Sequence, residues 1–423
     1  MNWLQFKIKV YEKFVEPYIV WPFRAKSQKR NINRLRSKDS IKVVFYAMNI
    51  SMWNYQHLYD LMKQNSRFLL YIIISPNCLS PKELRLKDAL NLKKYFDERC
   101  ISYVDCDSNG EVGINVRKDI APDIVFYTQP YPSVMKQRDY CMNFQDKLIC
   151  YYPYAFWSAN GDWSYNKELH RIAWKLFYST DLHYKDAKKY CLNHGRNVIV
   201  TGYPKTDDFL QKEHTFEWKI KERNYKRLIW APHFTLSASI AGTVPRSNFL
   251  LMADLMVSLA IKYKDRLQIA FKPHPLLKRE LYKLETWGKN RTDSYYNLWN
   301  TMPNTFVDEG EYIDLFMTSD GMVHDCSSFS IEYHYSQKPV MYVSQDIEAY
   351  KRMLNNFGKM AIDLHYIGKT KNDVIEFIEK QVFDGSDPLK EKRIKFYNDY
   401  LVPSHGMSVA QYTYNDIITS LGI

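Results

Sequence analysis

The sequence lacks the patterns that mark several common classes of protein. Its seven cysteines form no Cys-x-x-Cys pair, which argues against structural zinc. The strongest apolar run, residues 68–75, has the length of a strand and is far shorter than the ~20 residues of a membrane span. No Gly-x-Gly-x-x-Gly pattern for a dinucleotide is present. Because the cysteine count is odd and no secretion signal is visible, we expect a cytoplasmic protein with reduced thiols.

The composition is that of an ordinary globular protein with an excess of tyrosine. At 423 residues the chain exceeds the usual limit for a single core, so two domains are expected. Aromatic residues make up 16% of the chain and include 34 tyrosines. Tyrosine offers a flat apolar face and a hydroxyl, which suits sugars and bases. A generic preference for tyrosine explains the same number equally well.

The positive charge is concentrated at the N-terminus. The net charge is +12, and residues 1–42 hold eleven Lys and Arg against three acids. Apolar residues recur there at helical spacing: Trp3, Phe6, Val10 and Phe14. Such an arm, residues 1–38, either lies on an anionic membrane surface or packs on its own domain. Nucleic-acid binding is not expected, because no recognisable motif accompanies the charge.

Short apolar segments alternate with polar helical stretches from residue 41 onward. Segments rich in Val, Ile and Tyr, separated by helices, predict βα units and parallel sheets. The polar stretch 211–226 interrupts the alternation and is the best domain boundary. The predicted strands are 41–47, 67–74, 101–106, 123–130, 147–154, 172–180, 197–204, 227–233, 267–275, 305–310, 320–328 and 338–344.

This alternation predicts an α/β fold of two doubly wound Rossmann-like domains facing each other across a cleft, the GT-B architecture. The basic amphipathic arm spans residues 1–40. The first domain spans residues 41–215 and the second residues 225–400. Residues 401–423 form a C-terminal helix that can cross back to the first domain.

Three predicted strands of the second domain end in polar side chains that suit an anion. The carboxyl ends of parallel strands meet at one edge of a sheet, so we expect these side chains to converge there. Two serines precede a helical segment, whose free N–H groups favour phosphate. The converging residues are His233, Lys272, His274, Asp325, Ser327 and Ser328. Together they predict a site for a nucleotide diphosphate.

The same segments resemble a known family. "IWAPHFT" (229–235), "FKPHP" (271–275) and the block 312–343, "YIDLFMTSDGMVHDCSSFSIEYHYSQKPVMYV", are similar to motifs of the CDP-glycerol glycerophosphotransferases of teichoic-acid and capsule polymer synthesis. In the first domain, 178–209 contains a similar Gly-Tyr-Pro segment. The resemblance covers roughly residues 170–365 and indicates a divergent GT-B member.

The resemblance implies roles for residues of the second domain. His274, Asp325, Ser327 and Ser328 become contacts of the donor phosphates and nucleotide, and Glu332 becomes a ribose contact. The donor is then CDP-linked, the first domain holds the acceptor, and neither a metal nor a further cofactor is implied.

One departure from the family concerns the general base. The family's His-Gly-x-Pro segment is absent, and "YYPYAFWSANGDW" (151–163) stands near its place. His233 and Asp162 are the candidates. We favour His233, because an imidazole with an unperturbed pKa of about 6.5 suits a base at neutral pH.

The sequence therefore predicts a transferase that moves glycerol phosphate, or a related unit, from a nucleotide-activated donor to a hydroxyl of a cell-surface polymer or glycolipid. It would act at the inner face of the plasma membrane as a peripheral protein. Two alternatives stay open: a GT-B glycosyltransferase that uses a nucleotide sugar, and a non-catalytic scaffold of a polysaccharide complex.

Overall fold

The chain divides into two compact α/β units. The computed structural model describes residues 10–105, 113–222, 224–236 and 246–423, without the side chains of Glu12 and Lys13. The first unit runs to Asp207 and also includes Pro403–Ile423, and the second comprises Asp208–Val402. The polar stretch 211–226 therefore belongs to the second unit, and the boundary lies just before it.

The first unit is built on a seven-stranded sheet in which every pairing is parallel. The order is β3-β2-β1-β4-β5-β6-β7. Its central strands are nearly continuous apolar runs because helices cover both faces of a parallel sheet. The strands are β1 Ile41–Ala47, β2 Phe68–Ile74, β3 Val104–Asp105, β4 Ile124–Tyr127, β5 Leu148–Tyr151, β6 Lys175–Tyr178 and β7 Val198–Val200.

Helices connect these strands. The α-helices are Trp21–Arg36, Gln56–Lys63, Lys82–Asp97, Asp162–Tyr165, Glu168–Ile172, Asp181–Tyr190, Thr206–Phe209 and Val409–Leu421. Single-turn 3₁₀ segments lie at Ile50–Met52, Pro132–Val134, Gln137–Asp139 and Cys141–Phe144, and π-helical segments at Tyr11–Val20 and Val116–Ile120.

The second unit repeats the plan with a six-stranded parallel sheet in the order β10-β9-β8-β11-β12-β13. Each strand predicted from the sequence is present, although most are shorter than predicted. One further strand, β13, was missed. The strands are β8 Lys226–Ala231, β9 Leu267–Phe271, β10 Thr305–Val307, β11 Gly321–His324, β12 Val340–Val343 and β13 Tyr366–Gly368.

The helices of the second unit alternate with its strands. The α-helices are Phe249–Lys262, Leu277–Tyr282, Gly288–Thr301, Ile313–Thr318, Phe329–Glu332, Ile347–Arg352, Asn356–Ile362, Lys371–Phe377 and Lys390–Phe396. A 3₁₀ segment lies at Tyr333–Ser336, and π-helical segments at Ile378–Phe383 and Tyr397–Leu401.

Both sheets have the strand order of doubly wound folds. In each, the chain starts at a central strand, builds outward on one side, and then returns to build the other side. The two directions separate between β8 and β11 in the second unit. Ligands of such sheets bind beyond the carboxyl ends of the strands at this switch point. The fold therefore identifies the ends of β8 and β11 as the place for a ligand.

Aromatic side chains fill the core of the second unit. The ring of Trp230 on β8 lies 5.6 Å from Phe249 and 4.8 Å from Phe271. Trp299 completes the cluster at 5.4 Å from Trp230 and is fully buried. Stacked rings of this size bury a large apolar area and hold the ends of β8 and β9 in place.

The N-terminal arm packs on the first unit. The π-helical stretch Tyr11–Val20 continues into the helix Trp21–Arg36, and Leu35 is fully buried. Arg34 bonds the carboxylate of Asp123, which precedes β4, at 2.9 Å. Of the two alternatives for the arm, packing on its own domain therefore holds for this part.

The other face of the arm is exposed. Its apolar residues do not contribute to the core, and four of them are more than half exposed to solvent. The exposed apolar residues are Val10, Tyr11, Phe14, Tyr18, Ile19 and Phe23. Two residues of the predicted apolar series, Trp3 and Phe6, lie outside the described residues.

The last helix, Val409–Leu421, closes the first unit. The carboxylate of Asp207 accepts the N–H groups of Val409 and Ala410 at 2.7 and 2.8 Å, which caps the helix N-terminus. Gly202 lies in a turn with φ of +103°, and a Cβ there would stand 2.7 Å from Val409 Cγ2. The turn therefore requires glycine both for its backbone conformation and for close packing.

Candidate functional site

Two histidines face each other at the switch point of the second unit. His233 follows β8 and His274 follows β9, and their ring centroids lie 5.0 Å apart. Phe234 packs against both rings at 4.5 and 4.4 Å. The sequence prediction that these two strand ends converge is correct.

The hydrogen bonds of the two rings define which nitrogen carries the proton. The N–H of Leu276 donates to Nδ1 of His274 at 3.1 Å. Nδ1 of His233 accepts the backbone N–H of Thr235 at 3.4 Å and lies 2.9 Å from Thr235 Oγ1. An Nδ1 that accepts leaves the proton of a neutral imidazole on Nε2. Both histidines therefore present an Nε2–H donor.

Burial keeps both imidazoles neutral. It lowers the pKa of His233 to about 3, helped by the nearby His274 and Arg246, and lowers the pKa of His274 to about 4. The pKa of His233 is therefore well below the ordinary value of about 6.5 on which the prediction of a base depended. Two neutral N–H donors beside each other suit an anion, whose charge would raise both pKa values.

Arg246 is a candidate anion ligand that sequence reasoning missed. It depresses the pKa of His233 through its charge, so it lies close to the histidine pair. Its N–H donates to Thr235 Oγ1 at 3.1 Å, and its guanidinium lies 5.5 Å from the ring centroid of Tyr350. Its buried Nε has no hydrogen-bond partner among the described residues. An arginine fork of this kind binds phosphate well.

Lys272 has a structural role in this state of the protein. Its ammonium forms an ion pair with Asp308 at 2.5 Å and donates to the carbonyl of Gly310 at 2.8 Å. The side chain is buried, and its charge is already balanced. The prediction that Lys272 contributes to the phosphate site is therefore not supported, because its ammonium is held by Asp308 and Gly310.

Asp325 stabilises the backbone of the site through its buried carboxylate. Its carboxylate accepts the backbone N–H of His233 at 2.5 Å and that of Asn248 at 2.5 Å, and it is 2% exposed. Burial raises the pKa of this carboxyl to about 7. Asp325 was predicted to contact the donor, but its oxygens face the protein and fix the backbone on either side of the site.

The serine segment forms a weaker anion site than predicted. Ser327 is half-buried and Ser328 is exposed, so both are accessible. The helix that follows, Phe329–Glu332, is only four residues long and gives way to a 3₁₀ turn. A macrodipole grows with aligned peptides, so this one is small. Glu332, the predicted ribose contact, is 2% exposed.

A chain of buried histidines supports the segment after β11. Nδ1 of His324 accepts the N–H of Cys326 at 3.2 Å, and its Nε2 lies 3.1 Å from Nε2 of His365. Nδ1 of His365 bonds the carbonyl of Ala361 at 3.0 Å. Each bond in this chain has one donor and one acceptor only if both rings are neutral.

Asp162, the second candidate base, lies in the first unit. It starts the helix Asp162–Tyr165, is exposed, and accepts the N–H of Trp163 at 2.8 Å. His233 belongs to the second unit. The described ranges contain no group of three His, Cys, Asp or Glu side chains that could hold a metal ion. Within the same ranges, no helix has both the length and the apolar character needed to cross a membrane.

Comparison with known families shows to which family the chain belongs. The family described as CDP-glycerol:poly(glycerophosphate) glycerophosphotransferase matches residues 159–418, more than half of the sequence. The chain belongs to this family. The matched range contains the helix with Asp162 and the whole histidine site, so the resemblance seen in the motifs extends through the second unit of this glycerophosphotransferase family member.

Individual relatives are distant. The teichoic acid ribitol-phosphate primase of Bacillus spizizenii is 26% identical over 163 residues, which is 37% of each chain. The wall teichoic acid polymerase TagF has a TM-score of 0.59 at 13% identity, over 95% of this chain and 98% of that one. A UDP-GlcNAc 2-epimerase of Neisseria meningitidis gives 0.56 at 14% identity, over 90% and 100%. These structures confirm the predicted two-domain α/β fold of GT-B type.

Proposed function

We propose that this protein transfers glycerol phosphate, or a related polyol phosphate, from a CDP-activated donor to a hydroxyl of a cell-surface polymer or glycolipid. The observation that carries the proposal is the pair His233 and His274, with Arg246 beside them, at the switch point of the second unit. Family membership supports this donor class. The names of the primase and of TagF, which was also solved after a soak with CDPG, support a polymer of the teichoic-acid kind.

The reaction requires charge neutralisation and positioning more than covalent catalysis. A hydroxyl oxygen of the acceptor attacks the phosphorus nearest glycerol, and a new O–P bond forms. The bond to the bridging oxygen breaks, and CMP leaves with that electron pair. Nε2–H of both histidines and the guanidinium of Arg246 would bind the diphosphate as its charge shifts. A base takes the proton of the acceptor hydroxyl.

The geometry supports a role for His233 as a phosphate ligand. A base must offer a free lone pair, whereas Nε2 of His233 carries a proton. Asp162 therefore becomes the better candidate for the base. His233→Ala should weaken donor binding with kcat largely kept at saturating donor, and Asp162→Asn should lower kcat with donor binding unchanged. The opposite pattern would restore His233 as the base.

Donor binding tests the proposal. Calorimetry with CDP-glycerol should show binding to the wild type and affinities weaker by about tenfold or more in His274→Ala and Arg246→Ala, since each loses a charge-assisted contact. Arg291→Ala, which removes an exposed arginine of the same unit, is the control. Binding of UDP in preference to CDP would favour a nucleotide-sugar enzyme, and binding of neither would favour a scaffold.

We further propose that the exposed face of the N-terminal arm docks on the inner, anionic face of the plasma membrane. Tyr18, Ile19 and Phe23 are 75%, 64% and 69% exposed on a helix that continues into the basic run 24–38. Apolar side chains beside lysines and arginines match an interface of acyl chains and anionic headgroups.

Liposome sedimentation tests this docking. The double variant Ile19→Ser/Phe23→Ser should sediment less with liposomes that contain phosphatidylglycerol than the wild type does. Leu90→Ser/Ile261→Ser removes two apolar side chains that are 66% and 61% exposed elsewhere and is the matched control. Salt should weaken binding, because the Debye length falls to about 3 Å at 1 M. Equal loss in both double variants would contradict the proposal.

A further inference from the structure

We propose that Thr235 is a positioning residue of the candidate anion site, because its single hydroxyl bonds both the imidazole of His233 and the backbone of Arg246. The residue lies two positions after His233 and is 2% exposed. With so little exposed surface, it acts through these two neighbours and not on a ligand directly. The part of the inference that concerns a donor diphosphate rests on the proposed function.

Two backbone N–H groups, which can only donate, set the direction of these hydrogen bonds. The N–H of Arg246 donates to Oγ1 of Thr235 at 3.1 Å. The N–H of Thr235 donates to Nδ1 of His233 at 3.4 Å, so that nitrogen offers a lone pair and carries no proton. Oγ1 of Thr235 lies 2.9 Å from the same Nδ1, and its hydroxyl therefore donates to it. One oxygen thus accepts from Arg246 and donates to His233.

This hydroxyl stabilises the form of His233 that an anion requires. When Nδ1 accepts, the proton of the neutral imidazole is on Nε2, which can then donate to an anion. The other tautomer would present the lone pair of Nε2 to the negative oxygens of a phosphate and repel them. Burial keeps the ring neutral in the unliganded site, since it lowers the pKa of His233 to about 3. The tautomer therefore determines what Nε2 offers to an incoming anion.

Thr235 also fixes the backbone that carries Arg246. The carbonyl of Thr235 accepts the N–H groups of Arg246 and Ser247 at 3.3 and 3.2 Å, in addition to the bond at its hydroxyl. The buried Nε of Arg246 has no hydrogen-bond partner among the described residues. The backbone of Arg246 is therefore fixed by Thr235, while Nε of its guanidinium stays available for an anion.

Thr235 and Asp325 bond different parts of the same two segments. Asp325 accepts the backbone N–H groups of His233 and Asn248, both at 2.5 Å. Thr235 instead bonds the imidazole ring itself. A threonine suits this role because its branched Cβ restricts χ1 and keeps Oγ1 in place. Loss of the Thr235 hydroxyl should therefore act on the ring of His233 more than on the stability of the unit.

Nitrogen-15 NMR of the full-length protein tests the inference without a ligand. Thr235→Val keeps the shape of the side chain and removes the hydroxyl, whereas Thr235→Ser keeps the hydroxyl. The Nδ1 resonance of His233, identified by its loss in His233→Ala, should be that of a nitrogen without a proton. It should shift in Thr235→Val, because Nδ1 loses a donor, and keep its position in Thr235→Ser. A protonated Nδ1 in the wild type, or the same resonance in Thr235→Val as in the wild type, would overturn the inference.

Calorimetry with inorganic pyrophosphate measures the consequence for anion binding. Thr235→Val should bind about fivefold more weakly than the wild type, the usual effect of one lost hydrogen bond, and Thr235→Ser should bind within about twofold of it. Thr292→Val is the matched control, since it removes a fully buried hydroxyl of the same unit that donates to the carbonyl of Gly288 at 2.7 Å. Full affinity in Thr235→Val, or an equal loss in the control, would refute the positioning role.

A titration with CDP-glycerol separates this test from that of the proposed function. If the wild type binds pyrophosphate in a manner that depends on the Thr235 hydroxyl but does not bind CDP-glycerol, the positioning role stands and the proposed function falls. If the wild type and Thr235→Val bind CDP-glycerol equally well, the positioning role falls alone.

Discussion

Replacement of Asp325 by asparagine tests how the candidate site is held. Two effects compete at this carboxyl. Burial favours the protonated form, whereas the N–H groups of His233 and Asn248, both at 2.5 Å, favour the carboxylate. Burial is the larger effect, and the pKa rises from its ordinary value of 3.8 to about 7.

The raised pKa determines the sign of a pH effect on stability. Between about pH 4 and pH 7 the folded protein keeps a proton on Asp325 that the unfolded chain releases, so stability falls as the pH rises through that range and is flat above it. At about 1.4 kcal/mol per pH unit, the stabilisation lost between pH 5 and pH 8 is at most about 3 kcal/mol. An asparagine has no proton to lose there.

The prediction is therefore that Asp325→Asn destabilises the second unit more at pH 5 than at pH 8. Urea unfolding is measured at both pH values. Hydrogen exchange in peptides from β8 and β11 then reports the stability of the second unit separately from that of the first. The difference between wild type and variant cancels the other titrating groups. If the destabilisation instead grows with pH, the two short hydrogen bonds outweigh burial, and the carboxylate form is the native one.

Two further substitutions test the packing around the units. Gly202→Ala should destabilise the first unit by about 2 kcal/mol or more, because it adds backbone strain and a clash with Val409. The control Gly385→Ala has φ of +72° and open space around it, so it should cost only the strain of about 1–2 kcal/mol. Equal shifts in melting temperature for the two variants would refute the clash. His365→Ala should lower stability by about 1–3 kcal/mol and weaken CDP-glycerol binding, because His324 loses its partner; unchanged calorimetry would show that the chain of histidines does not support the site.

The strands were predictable because their signal is local. A run such as Ile41–Ala47 is apolar except for Lys42, which is typical of a strand covered on both faces. Strand β13 was missed because Tyr366–Gly368 has three residues, two of them only half-buried, and ends in glycine. The same local character made the strand ends with His233 and His274 visible.

The roles of polar side chains were less predictable because their partners are distant in sequence. Lys272 meets Asp308 across 36 residues, and Asp325 meets Asn248 across 77. A strand-end pattern shows where a residue lies but not whether it faces a ligand or a neighbour. Arg246 was missed for the same reason, since only the fold brings it beside the histidines.

The nucleotide released in a single turnover distinguishes transfer of glycerol phosphate from attack at carbon. With CDP-glycerol and a hydroxyl-bearing polymer acceptor, attack at the phosphorus nearest glycerol must release CMP in an amount equal to the glycerol phosphate transferred. Chromatography of the quenched reaction measures both. We expect CMP at that ratio and none in Arg246→Ala at low donor concentration. Release of CDP would show attack at carbon instead, and no acceptor-dependent release of either nucleotide would contradict a transferase.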